Sequence, residues 1–206
     1  MPSELEAVAA EAAGCTRCRL HQSRTQVVFG QGDPNADLMF VGEAPGFHED
    51  RQGIPFVGPS GQLLNRLLEG IGLRREDVYI CNVVKSRPPQ NRDPQPDEIA
   101  ACRPWLDAQI RLVDPKVVVT LGNFAAKTLL ETTTGITRLR GQTYPFQGRV
   151  LLPMFHPAAA LHAQGRRTAG PSPLEAMEGD FRVLAELLAA TTPVDDDRPT
   201  EQLGLF

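Results

Sequence analysis

The chain has 206 residues, 41% of them hydrophobic, and a formal net charge of −4. That is enough apolar material for one α/β domain, and no run of about 18 apolar residues is available to span a membrane. The net negative charge comes from the ends: residues 12–193 carry 20 basic and 18 acidic side chains, a balance that permits a nucleic-acid partner without demanding one.

The start, Met1-Pro2-Ser3-Glu4-Leu5-Glu6, lacks a basic stretch followed by an apolar one, so no secretion signal is expected and the location expected is cytoplasmic. A first helix is predicted over residues 5–13. Cys15 and Cys18 follow it as a C-x-x-C pair. With Cys81 and Cys102 they are the four cysteines of a chain expected to stay in a reducing compartment. Disulfides are disfavoured there, which leaves metal or iron–sulfur binding, or a thioredoxin-like redox pair. The pair does not follow a strand, as a redox pair would.

Residues 38–41, 78–84, 117–121 and 150–155 are short β-branched and aliphatic runs, read as buried strands. Between them lie helical patterns. Ser60 is read as the cap of a helix whose apolar stripe is Leu63, Leu64, Leu67, Leu68 and Ile71. Further helices are predicted over 96–112, 124–130 and 174–188. Alternation of this kind implies α/β architecture: a mostly parallel four-stranded sheet with helices on both faces, as a three-layer α/β/α sandwich. Ligands then bind outside the carboxyl ends of the strands.

The strand exits hold the candidate chemistry. Gly42 and Gly46 free the first exit to turn sharply. Glu43, inside that turn, can orient a water or steady positive charge, or be a solvated acid. Phe56 sits between turn residues, where its ring can stack on a base or pack on the core. Ser60 and Gly61 open a helix and so offer free N–H groups to a phosphate as well as a cap. Asn82 ends an apolar strand. Its paired donor and acceptor match the O4 and N3–H edge of uracil and mismatch cytosine, or they bond to nearby backbone. His156, before Pro157, can stabilise negative charge on a carbonyl oxygen or anchor a turn. Leu161 is either an apolar wedge or an ordinary buried leucine. From residue 191 the chain turns polar, acidic and proline-bearing, which divides it into a domain over 1–190 and a flexible tail over 191–206.

The order of five blocks carries more than any one of them. Gly42-Glu43-Ala44-Pro45-Gly46, Pro55-Phe56-Val57-Gly58, Asn82-Val83-Val84-Lys85, Arg87 through Asp93, and His156-Pro157-Ala158 together resemble the family 4, iron–sulfur-containing uracil-DNA glycosylases. The resemblance covers about residues 10–190. It implies the three-layer glycosylase fold and a monomer that excises uracil from DNA by base flipping and hydrolysis of the N-glycosidic bond, initiating base excision repair. It implies Gly42 and Glu43 in the water-positioning motif, Phe56 stacked on the ring, Asn82 on the uracil edge, His156 at O2, and a wedge from the loop after His156. It also implies a [4Fe–4S] cluster on four cysteines. One position departs: the family usually has cysteine directly after Val-Lys, and Ser86 stands there. The reading adopted takes Cys15, Cys18, Cys81 and Cys102 as the ligands. Ligation through the Ser86 hydroxyl, a three-cysteine cluster or a lost cluster are the alternatives, and strand alternation, which sends residues 81 and 82 to opposite sides, is the difficulty for Cys81.

Gln202, Leu203, Leu205 and Phe206 resemble the pentapeptide by which bacterial repair proteins dock on the sliding clamp; the other reading is a tail that folds back on its own domain. Two rival functions remain at this stage. Certain relatives capture uracil-DNA covalently through a histidine in an arginine-rich insertion after the Asn-Val-Lys block, but residues 86–101 contain no histidine. A redox or zinc protein would use Cys15 and Cys18 chemically.

Overall fold

The four predicted runs form the centre of a sheet. In the computed structural model of the chain, which describes residues 3–163 and 170–191, they are β2 (Leu38–Gly42), β3 (Tyr79–Asn82), β4 (Val117–Leu121) and β6 (Arg149–Met154). All four run parallel, and each is wholly or largely buried, as a parallel sheet covered on both faces requires. The expectation of four strands is corrected to six. Two short antiparallel strands, β1 (Gln31–Gly32) and β5 (Tyr144–Phe146), close the edges in the order β1-β3-β2-β4-β6-β5.

Among the described residues eight α-helices accompany the sheet: α1 (Glu4–Ala13), α2 (Phe47–Gln52), α3 (Pro59–Glu69), α4 (Pro96–Val113), α5 (Asn123–Leu130), α6 (Ile136–Leu139), α7 (Pro157–His162) and α8 (Pro173–Thr191). Strand side chains alternate between two cores. Met39, Val41, Tyr79, Cys81 and Val118 pack with Trp105, Leu106 and Ile110 of α4 and with Ala12 of α1. Leu38, Phe40, Ile80, Val119 and Leu152 pack with α3 and α8, where Phe181 stacks on Phe40. The layers are therefore α/β/α. The α3 stripe behaves as its spacing predicts: Leu63, Leu64, Leu67 and Leu68 are all buried, each stabilising the fold by about 1.5–3 kcal/mol. Its cap does not. Gly58 takes the N-cap position and Pro59 the first turn, so Ser60 lies inside the helix without capping it.

From β2 the chain moves outward to β3, then crosses back through α4 to β4 on the other side of β2. The exit of β2 is thus the point where the winding reverses, and a crevice opens there. The C-terminal tail, with Gln202, Leu203, Leu205 and Phe206, lies outside the described residues.

Candidate active site

A cleft of about 620 Å³ opens at that reversal point, a size suited to a small flat ligand. Glu43, Phe56, Ser60, Asn82 and His156, five of the residues singled out in the sequence, line it.

Asn82 closes β3. Only 2% of it is exposed, and among the described residues its amide makes no hydrogen bond. An amide that lacks a protein partner on so buried a residue and lines a cleft is free to bond a ligand there. Gly42 pairs with Asn82 across the strands. A Cβ on Gly42 would stand 2.4 Å from Asn82 Oδ1 and 2.6 Å from two ring carbons of Phe56, so the missing side chain is what lets the amide and the ring share one wall.

Phe56 is held under strain. Its φ of 53° is left-handed, uncommon for a large side chain. Arg75 secures it by donating to the Pro55 and Phe56 carbonyl oxygens. Gly61 of α3 packs directly against its backbone. From the opposite side Glu49 accepts from the Val57 and Gly58 N–H groups at 3.0 and 2.9 Å. The Phe56 ring is buried and lies 5.7 Å from the His156 imidazole, centroid to centroid, at 33°.

His156 caps α7. The Ala158 N–H donates to its Nδ1 at 3.1 Å, which leaves Nε2 to carry the proton of the neutral ring. Burial pushes its pKa down to about 4 against the opposing pull of Glu49. At neutral pH the side chain is therefore an uncharged N–H donor. Glu43 moves the other way: burial first and the neighbouring Asp93 carboxylate second raise it to about 7. The cleft thus holds a neutral donor and a carboxyl group poised to accept a proton, a pairing suited to general-base chemistry near neutrality.

Leu161 does not line the cleft. It is half-buried on α7 and packs against the core formed with α3 and α8. Its neighbour His162 reaches the cleft instead. Glu49, Arg75 and Asp93 matter more than the sequence suggested. Glu49 and Arg75 act on backbone atoms far along the chain, and Asp93 acts on Glu43 through space, so no local pattern marks them.

The cysteines lie on the other side of the sheet, in the α1–α4 core. Cys15 Sγ accepts the Trp105 indole N–H at 3.4 Å, and Cys102 Sγ accepts the Lys85 backbone N–H at 3.4 Å. Cys18 and Cys15 both act electrostatically on Cys102, and burial raises the thiols of Cys18 and Cys102. Ser86 adjoins this group: Arg24 donates to its hydroxyl at 3.1 Å and also faces Cys18. The buried Cys81 thiol, raised by burial, has the Lys85 ammonium as its charged neighbour. Of the four thiols in this core, Cys15, Cys18 and Cys102 face one another, and thiols so gathered are the donor chemistry of an iron–sulfur cluster. As the side chains stand, no three of the described His, Cys, Asp or Glu residues are gathered to hold a single ion.

Comparison with known proteins agrees with this layout. Residues 29–181 match the uracil DNA glycosylase superfamily. A type-4 uracil-DNA glycosylase of Sulfurisphaera tokodaii is 44% identical over 92% of this chain and 86% of its own length. One from Archaeoglobus fulgidus is 42% identical over 92% and 96%, and one from Thermotoga maritima 47% identical over 76% and 83%. A type-5 uracil-DNA glycosylase of Thermus thermophilus is 34% identical over 68% and 72%. With β2, β3 and β6 delivering Glu43, Asn82 and His156 to one cleft, and identity of this extent to the type-4 proteins, the chain belongs to the uracil-DNA glycosylase superfamily, in its type-4 group.

Proposed function

We propose that this chain excises uracil from DNA. The observation that carries the reading is the shared cleft of Phe56, Asn82 and His156, in which a buried amide has no partner of its own. A uracil extruded from the strand stacks on Phe56. Asn82 Oδ1 accepts from N3–H and Nδ2 donates to O4; cytosine offers the reverse at both positions and is refused. His156 donates from Nε2 to O2 as the C1′–N1 bond breaks and its electron pair passes into the ring. Glu43, ionised, steadies the positive sugar and takes a proton from the water whose oxygen bonds to C1′. Free uracil and an abasic site leave.

An iron–sulfur cluster would be held by Cys15, Cys18 and Cys102, with Ser86 next to them as the fourth position rather than Cys81. The Arg24 that bonds Ser86 also faces Cys18, and Cys15 and Cys18 act on the Cys102 thiol, whereas the group that acts on Cys81 is Lys85, which Cys102 shares. Such a cluster supplies a covalent cross-link between the segment after α1 and α4; no step of the reaction passes through it. The tail ending Gln202-Leu203-Gly204-Leu205-Phe206 is proposed as a sliding-clamp anchor. A peptide of residues 196–206 is expected to bind the purified clamp, and no binding at high micromolar peptide removes the idea.

The enzymatic reading is tested by incubating the protein with a uracil-containing oligonucleotide and cleaving abasic sites with alkali. The unaltered chain should give strand breaks at uracil. Asn82→Ala and His156→Ala should each lower the rate by about 10²–10³-fold, the scale of losing one transition-state donor. No breaks from the unaltered chain, or DNA left covalently attached to it, ends the proposal of turnover.

A further inference from the structure

Phe47 is the first residue of α2, and 47% of it is exposed. A phenylalanine so placed contributes little to the core, yet its surroundings are ordered. The Arg87 guanidinium lies 5.1 Å from the ring centroid and that of Arg51 5.7 Å, while His48 meets the ring edge-on at 5.5 Å. Both cations are within cation–π range. Arg87 is further tethered, donating through Nε to Asn91 Oδ1 at 2.6 Å. Among the described residues neither guanidinium forms a salt bridge with a carboxylate. Phe47 also lines the cleft whose inner end holds Phe56, Asn82 and His156.

We infer that Phe47, flanked by Arg51 and Arg87, is a second nucleotide subsite, which stacks on the base adjacent to the extruded uracil while the arginines hold the phosphates beside it. The inference rests on the uracil-excision reading for its ligand. Three physical features select a DNA strand as the occupant. The ring lines the same cleft as the proposed uracil pocket, so a strand whose uracil reaches Asn82 has Phe47 within its reach. An exposed aromatic face between unpaired cations is the composition of single-strand binding surfaces, where bases stack and arginines meet phosphates. An apolar protein partner would instead need a wider hydrophobic patch: the other exposed large hydrophobic among the described residues is Leu174, on α8. On α2 itself the acids are engaged elsewhere, Glu49 with the Val57 and Gly58 amides and Asp50 with the Thr25 amide, while Glu43 and Asp93 line the same cleft.

The test is equilibrium binding to a single-stranded oligonucleotide carrying 2′-fluoro-deoxyuridine, which resists cleavage. The neighbouring base is either intact or replaced by an abasic analogue on the 5′ or the 3′ side. The unaltered protein should lose about tenfold in affinity when one of those two bases is removed, the scale of one base–aromatic stack. Phe47→Ala should start about tenfold weaker and lose nothing more on that removal; Phe47→Tyr should behave as the unaltered protein. Equal affinity of Phe47→Ala and the unaltered protein overturns the inference. So does a full further loss on base removal in Phe47→Ala, or no effect of either neighbouring base on the unaltered protein. An unaltered protein that releases no uracil ends the excision reading, while the binding comparison still decides the subsite.

Discussion

Glu43 and His156 occupy one cleft, yet burial acts on them with opposite chemical results. It raises a carboxyl group to about 7 and lowers an imidazole to about 4, because the charged form is penalised in both. Only one of the two titrates near neutrality. Activity that needs the Glu43 carboxylate should therefore rise about tenfold per pH unit below 7 and level off above it, with no second limb from His156 until the pH nears 4. Removing the like charge by Asp93→Asn lowers the Glu43 pKa and should move the limb to lower pH. Glu43→Gln should flatten the limb and slow the reaction by about 10²–10⁴-fold. Profiles of kcat/KM against pH check this, and a limb unmoved in Asp93→Asn counts against the electrostatic account. The sequence could point to Glu43, Asn82 and His156 because each is a polar group where an apolar strand ends. It could not give their protonation states, which depend on burial and on partners such as the Ala158 N–H and Asp93.

At the scale of elements, strand β3 and helix α4 are joined by a buried polar network directly behind Asn82. Lys85, 2% exposed, donates from Nζ to the Asn82 carbonyl at 2.5 Å and to Gln109 Oε1. Gln109 Nε2 in turn donates to the Phe29 carbonyl at 2.8 Å and the Tyr79 hydroxyl at 3.1 Å. Gln109→Leu would take an acceptor from the buried Lys85 amine, at a cost of about 1–3 kcal/mol, whereas Lys85→Met removes the amine together with its bond and should cost less. Urea unfolding of the two variants measures the order, and a Lys85→Met variant less stable than Gln109→Leu contradicts it. In the sequence this network is invisible, since Lys85 and Gln109 look like surface residues. The same reason explains which elements could be predicted. β2, β4 and β6 are apolar runs long enough to show a pattern. β1, of two residues, and β5, containing Pro145, are defined by pairing to a neighbour. α2 has one apolar residue, Phe47, which faces outward, and α7 buries small residues, Pro157 and Ala160, so neither displays a stripe. Ser60 looked like a cap because residue type was the only guide; Gly58-Pro59 starts the helix earlier.

Over the whole molecule, the sheet separates two sites. The cleft lies at the carboxyl edge with Asn82 on its wall, while Cys15, Cys18 and Cys102 lie in the core beneath α1 and α4. Strand alternation, a difficulty for the sequence reading, is kept here: Asn82 lines the cleft and Cys81 joins the opposite core. Cys81 and Cys102 both face Lys85, but only Cys102 also faces Cys15 and Cys18, so the four cysteines are not equivalent. If the cluster proposal holds, purified protein should contain iron and acid-labile sulfide with a broad visible absorption. Cys15→Ala and Cys102→Ala should lose most of that iron, and Cys81→Ala should retain it. Ser86→Cys should hold iron longer against a chelator, because a thiolate is the softer and better ligand for such clusters. The cross-link joins the start of the chain to α4, so its loss should lower the unfolding temperature more than it lowers the rate of uracil release from protein still folded. Cys81→Ala protein as iron-poor as Cys102→Ala would transfer the fourth position back to Cys81, and a local departure of β3 from the paired geometry seen at Val41 and Cys81 would then have to accompany cluster assembly.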